Sequence, residues 1–190
     1  MAKKKSKKGS NLTSLVIKCV VIVLAILTIC TMFMPVISRK TAALGGEFKT
    51  TYSIYGKDVF SGLFRGETSL DYSEGANKLI SMKSAEGAGF VTNLLMILYV
   101  ALIFVSIAVM VFNVLSLVGL KAKLANLILA IAAVSLAVLT FIFAIVVASK
   151  LGSLDLGVIG ETKGVIAVGT YLLIGTLIMG GAYAFDAKTA

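Results

Sequence analysis

Along most of this chain the apolar residues come in blocks, with no short helical or strand period. From Gly87 to Leu120 there is no Asp, Glu, Lys or Arg, and after Lys121 and Lys123 the same pattern resumes from Leu124 to Ser149. At about 1.5 Å per residue, each run is long enough to cross a hydrocarbon layer of roughly 30 Å. The two-lysine link leaves room only for a tight turn, so these runs predict an antiparallel helical hairpin in a bilayer. Two further apolar runs flank it. The pattern predicts an all-α membrane protein: a four-transmembrane-helix bundle with a small extracytoplasmic β-hairpin and short-helix region between helices 1 and 2. The expected spans are 14–38, 91–120, 124–149 and 164–185. Between and around them lie a basic tail at 1–13, outer segments at 39–90 and 150–163, an inner turn at 121–123 and an inner tail at 186–190.

The segment 39–90 is the one stretch that reads like a soluble protein. Phe48, Thr50, Tyr52 and Ile54 alternate with Lys49, Thr51 and Ser53, the two-residue period of a half-buried strand. Gly56-Lys57-Asp58 suggests a turn, after which Val59-Phe60 and Leu63-Phe64 are expected to pair back as a second strand. Ser73 to Met82 reads as a short helix. About fifty residues bury little core alone, so this unit is expected to rest on the outer helix ends. Pro35 is expected to kink or stop the first helix where it leaves the bilayer.

Composition agrees with the block pattern: 58% of the 190 residues are hydrophobic, 14% are charged, and the mean hydropathy is +1.01. A net charge of +9 is compatible with nucleic-acid binding, but Lys3, Lys4, Lys5, Lys7 and Lys8 sit in a short tail beside the first apolar run. A tail so placed is a topology determinant drawn to anionic lipid, and no nucleic-acid partner is expected. Basic residues divide nine against nine between the two sides, so their number does not set the orientation. Their placement does. Lys3, Lys4, Lys5, Lys7, Lys8, Lys121 and Lys123 are packed beside span ends, whereas the outer ones are spread through a loop long enough to translocate. Both termini are therefore expected in the cytoplasm, in a plasma-membrane protein. A basic start before an apolar run also resembles a signal peptide. An uncharged core from Cys19 to Ile37 followed by Arg39-Lys40 favours a retained anchor.

Little in the chain suggests catalysis. There is no histidine, and Cys19 and Cys30 are too far apart on one helix for a disulfide. No ionisable side chain is expected deep in a span, which disfavours a proton- or ion-coupled carrier. The chain is expected not to be an enzyme and to use no cofactor or metal. Asn113 and Asn126 flank the lysine turn and are expected to join their helices through an interhelical hydrogen bond. Thr176, Gly180 and Ala184 lie at four-residue spacing, as do the pairs Ala133–Ala137 and Ala144–Ala148, an arrangement that lets helices approach closely within one bundle or across a homo-oligomer. Tyr52, Tyr55, Phe60, Phe64 and Tyr72 are interleaved with charges and form a candidate surface for a membrane or cell-surface partner; packing on the helix ends is the alternative.

Four spans, inward termini and a strand-bearing first outer loop resemble the layout of claudin-like tetraspan proteins. The loop lacks the cysteine pair and tryptophan associated with that group. The expected function is that of a non-enzymatic membrane protein acting through contacts, as an accessory, scaffold or assembly subunit. The alternative is an oligomeric channel or transporter component.

Overall fold

The computed structural model describes residues 2–43, 48–64, 89–119, 123–153 and 160–189. The protein is mostly helical, with four helices long and apolar enough to cross a membrane. They are α1 (Ala2–Cys30), α3 (Gly89–Leu117), α4 (Lys123–Ser153) and α5 (Val168–Thr189). A short helix α2 (Gly56–Phe64) and strands β1 (Pro35–Ala43), β2 (Phe48–Tyr55) and β3 (Gly160–Ile166) complete the described elements. Each long helix packs on two neighbours, in the cyclic order α1, α3, α4, α5. The apolar stripe on α4 shows how: Asn126, Ala130, Ala133, Ala137, Thr140, Ala144 and Val147 are buried at alternating spacings of four and three. That is the repeat of helices packed at a shallow angle. Ser14 on α1 donates to Asp186 on α5 (2.5 Å), which places the start of α1 beside the end of α5. The sheet lies at the opposite end of the bundle.

Pro35 decides how α1 ends. Its ring removes a backbone donor and pushes the preceding residue out of the helical region. Accordingly α1 stops at Cys30, a tight turn covers Thr31–Phe33, and Met34 is extended (φ −109°, ψ 152°). The apolar residues just beyond, Val36 and Ile37, are fully buried, but in a strand. The span reading carried the helix through them because composition alone does not separate a buried strand from a membrane helix.

The sheet has the order β2-β1-β3, with both pairings antiparallel. Strand β2 falls where the alternation from Phe48 to Ile54 put it. Its partner differs from the expected one: Lys40 is opposite Thr51 on one side and Lys163 on the other. The expected second strand at Val59–Phe64 is instead helix α2. The Asp58 carboxylate accepts the Tyr55 backbone N–H (2.9 Å), so the Gly-Lys-Asp triplet opens a capped helical turn rather than a hairpin. The third strand was read as outer loop running into the fourth span at Gly164; pairing with β1 extends it to Ile166. The basic tail, set apart from the first span at 1–13, instead belongs to α1 from Ala2. Lysine is a good helix former, and a helix already nucleated by the span extends without a new nucleus. The expected helix at Ser73–Met82 lies outside the described residues.

Backbone hydrogen bonds fasten the sheet to the bundle. Gly56 N–H donates to the Met34 carbonyl (3.1 Å), and the Val36 carbonyl accepts from both Ala167 N–H (2.9 Å) and the Thr170 hydroxyl (2.6 Å). Gly56 sits where a Cβ would run into the Tyr99 hydroxyl and lie 2.6 Å from the Thr31 carbonyl oxygen. Gly56→Val is therefore expected to push α2 off α3 at a cost of about 1–3 kcal/mol, measured as a lower unfolding midpoint in detergent than that of Lys57→Val, which is exposed.

Candidate functional site, a buried polar column in the bundle

Within the uncharged run of α3, Thr92, Tyr99, Ser106 and Asn113 recur every seven residues, and all four are completely buried. Seven residues are close to two helical turns, so the four positions share one face. The other helices add Thr28 and Thr31 from the end of α1, Asn126 and Thr140 from α4, and Thr170, Thr176 and Tyr183 from α5, all buried. The bundle thus encloses a column of hydroxyl and amide groups from the sheet end to the end holding the termini.

Some of these groups pair across helices. The Thr31 and Tyr99 hydroxyls are 2.8 Å apart and link the α1 exit to α3, while Thr28 and Thr176 are 2.9 Å apart and link α1 to α5. Thr31 also donates to the Thr28 carbonyl (2.6 Å), and Ser106 returns its proton to the Leu102 carbonyl (2.8 Å). Others have no partner: Thr92 Oγ1, Thr140 Oγ1, Asn113 Oδ1, Asn126 Oδ1 and the Tyr183 hydroxyl. Apolar layers separate the groups, among them Leu102 with Ala137 and Leu173, and Val21 with Val109.

The expected Asn113–Asn126 bond does not form, since neither side-chain oxygen has a partner. Asn113 instead donates its amide to the Lys18 carbonyl (2.7 Å), tying α3 to α1. An amide in an apolar interior needs an acceptor, and a helix carbonyl with a free lone pair serves as well as a side chain across the turn. Thr176, Gly180 and Ala184 all face inward. Thr176 meets Thr28, a Cβ on Gly180 would strike Val134 on α4 and approach the Ala130 carbonyl oxygen (3.1 Å), and Ala184 packs at the edge of the cluster around Val21 and Tyr183. Ala133, Ala137, Ala144 and Ala148 are buried as well.

Of the aromatic surface, Tyr55 is exposed with the Lys57 ammonium 5.7 Å from its ring centre, a cation–π contact. Phe60 is half-buried. The side chains of Tyr52 and Phe64, and all of Tyr72, lie outside the described residues. Lys3, Lys4, Lys5, Lys7 and Lys8 lie on the first turns of α1, Lys123 opens α4 and is exposed, and Lys121 is outside the described residues. Asp186, read as part of an inner tail, is instead buried on α5 against Ser14.

Sequence reading picks out Asn113 because amides are rare in apolar runs, takes Thr92 for a helix cap and Tyr99 and Tyr183 for interface anchors, and passes over Ser106; both tyrosines are instead buried inside the bundle. The seven-residue recurrence was the signal for Thr92, Tyr99 and Ser106. No protein family, curated protein or solved structure matches this chain.

The pairing of Thr28 with Thr176 gives a direct test. In a double-mutant cycle of Thr28→Val and Thr176→Val, unfolding in detergent should show a coupling of about 0.6–1.7 kcal/mol. Gly180→Leu should destabilise more than either, by about 1–3 kcal/mol, since the nearest atoms include backbone.

Proposed function

We propose that this protein acts through contacts, as an accessory, scaffold or assembly subunit of the plasma membrane with both termini in the cytoplasm. The observation that carries this reading is the head: strands from two separate outer segments pair into one sheet fastened to the helix ends by backbone hydrogen bonds. A scaffold needs such a head, because a pre-organised surface loses little entropy on binding. The strands and α2 carry Arg39, Lys40, Lys49, Lys57 and Lys163 against Glu161 and the buried Asp58. The complementary partner surface is acidic, and the exposure of Lys40 and Lys57 supports them as contact residues.

Affinity purification of the full-length protein from native membranes tests this. A companion recovered with the wild type and lost with Lys40→Glu/Lys57→Glu, at an unchanged unfolding midpoint, is the expected result. Equal recovery by both proteins overturns it. Orientation is checked in a Cys19→Ala/Cys30→Ala background with single cysteines at Ser6 and Ser69: an impermeant thiol reagent applied to intact cells should label only position 69.

The buried polar column favours a second reading, a channel or transporter component. Selective solute flux from the purified protein in liposomes would establish that reading and displace the first. The apolar layers around Leu102 and Val109 are the physical reason to expect none.

A further inference from the structure

The register of the sheet sets two lysines side by side. Lys40 on β1 is directly opposite Lys163 on β3 and, along its other edge, directly opposite Thr51 on β2. Residues in register share one face of a sheet, with Cβ atoms about 4.5–5.5 Å apart, so Thr51, Lys40 and Lys163 form a single row. On the same face the next row toward the bundle is Ser53, Ser38 and Val165, and the next row away from it is Lys49, Ala42 and Glu161. The Ser38 and Ser53 hydroxyls bond to one another (3.1 Å), whereas Lys40 and Thr51 are exposed. These three rows carry three lysines against one acid, Glu161, which lies a row away from the lysine pair.

Like charges directly opposite one another weaken a sheet, so the pairing of β1 with β3 is opposed at this row until an anion bridges it. An oxyanion seated between two ammonium groups takes a charge-assisted hydrogen bond from each, and the Thr51 hydroxyl beside Lys40 is a further donor. Lysine suits phosphate, which it meets as a point charge on a flexible stem, whereas a carboxylate is better matched by the planar fork of arginine. Arg39, the adjacent residue of β1, stands on the opposite face, in register with Tyr52 and Gly164. We infer that Lys40 and Lys163, with Thr51 beside them, form a binding site for one phosphate group, free or esterified in a lipid headgroup. The inference deepens the contact reading by naming the chemistry that the basic surface takes, and rests on it only for this face being one that meets a partner.

The test compares unfolding midpoints of the full-length protein in detergent, in inorganic phosphate and in chloride at equal ionic strength. Phosphate at about five times its dissociation constant should raise the wild-type midpoint by about 2–4 °C. Lys163→Gln should abolish that rise, while Lys57→Gln, on α2 and outside the row, keeps it. In chloride, Lys163→Gln should unfold no lower than the wild type, because it removes a like-charged neighbour. No rise with phosphate, or an equal rise in Lys163→Gln, overturns the proposal. So does a lowered midpoint of Lys163→Gln in chloride, which marks that lysine as half of a structural ion pair. Phosphatidylcholine nanodiscs with and without phosphatidylglycerol identify the source. A larger stabilisation by phosphatidylglycerol in the wild type than in Lys163→Gln assigns the site to a lipid headgroup; a rise with inorganic phosphate alone assigns it to a soluble phosphate. The two readings fail separately: absence of phosphate binding leaves the companion test on Lys40→Glu/Lys57→Glu standing, and equal companion recovery there leaves phosphate binding standing.

Discussion

Strand β1 is hydrogen-bonded along both edges, and the rest of the architecture follows from that. It begins two residues after the turn that ends α1 and pairs with β2, from the segment between α1 and α3, on one side and with β3, from the segment between α4 and α5, on the other. A chain leaving an apolar helix carries backbone donors and acceptors that must be satisfied near the lipid boundary, and pairing in a sheet satisfies them locally. Because β3 runs straight into α5, with Val36 accepting from Ala167 and Thr170, the sheet also fixes where α5 starts relative to α1. Sheet and bundle therefore constrain one another, and Tyr99 bonded to Thr31 closes the joint from the side of α3.

Within the bundle the usual hydrophobic drive is weak, since lipid chains are as apolar as leucine. Packing has to come from close approach and from polar pairs. Alanine along one stripe of α4 and glycine at position 180 let the backbones approach. Thr28 with Thr176, and Asn113 with the Lys18 carbonyl, supply directional bonds between helices. The larger apolar side chains, such as Ile97, Phe104, Ile131 and Ile178, turn outward to where lipid would lie. Small and polar side chains thus share the interior with layers of larger apolar ones such as Leu102, Leu173 and Met179.

Such a body is well suited to presenting a surface. Among the described residues, the strands and α2 bear more basic than acidic residues on short, cross-linked elements. The polar column would serve mainly to hold the helices in register, the best-attested use of buried polar groups in helical assemblies.

The four helices, the strand at β2 and the role of Pro35 were legible along the chain because each is a local matter: apolar length, two-residue alternation, a missing N–H. So were the inward-facing small residues of α5, at four-residue spacing. What composition could not reveal was partnership. Nothing local distinguishes Val36 and Ile37 in a strand from two more residues of a membrane helix, or Glu161-Thr162-Lys163 in a strand from a loop; only the backbone alongside makes them strands. Asn113 looked toward Asn126 in one dimension, yet in three it bonds to the α1 backbone. Apolar length and local stereochemistry thus determined the four long apolar helices among the described residues and roughly where they stop. Which groups meet inside them, and that one sheet ties both outer segments together, was decided by tertiary packing, because hydrogen bonds form between neighbours in space whatever their separation in sequence.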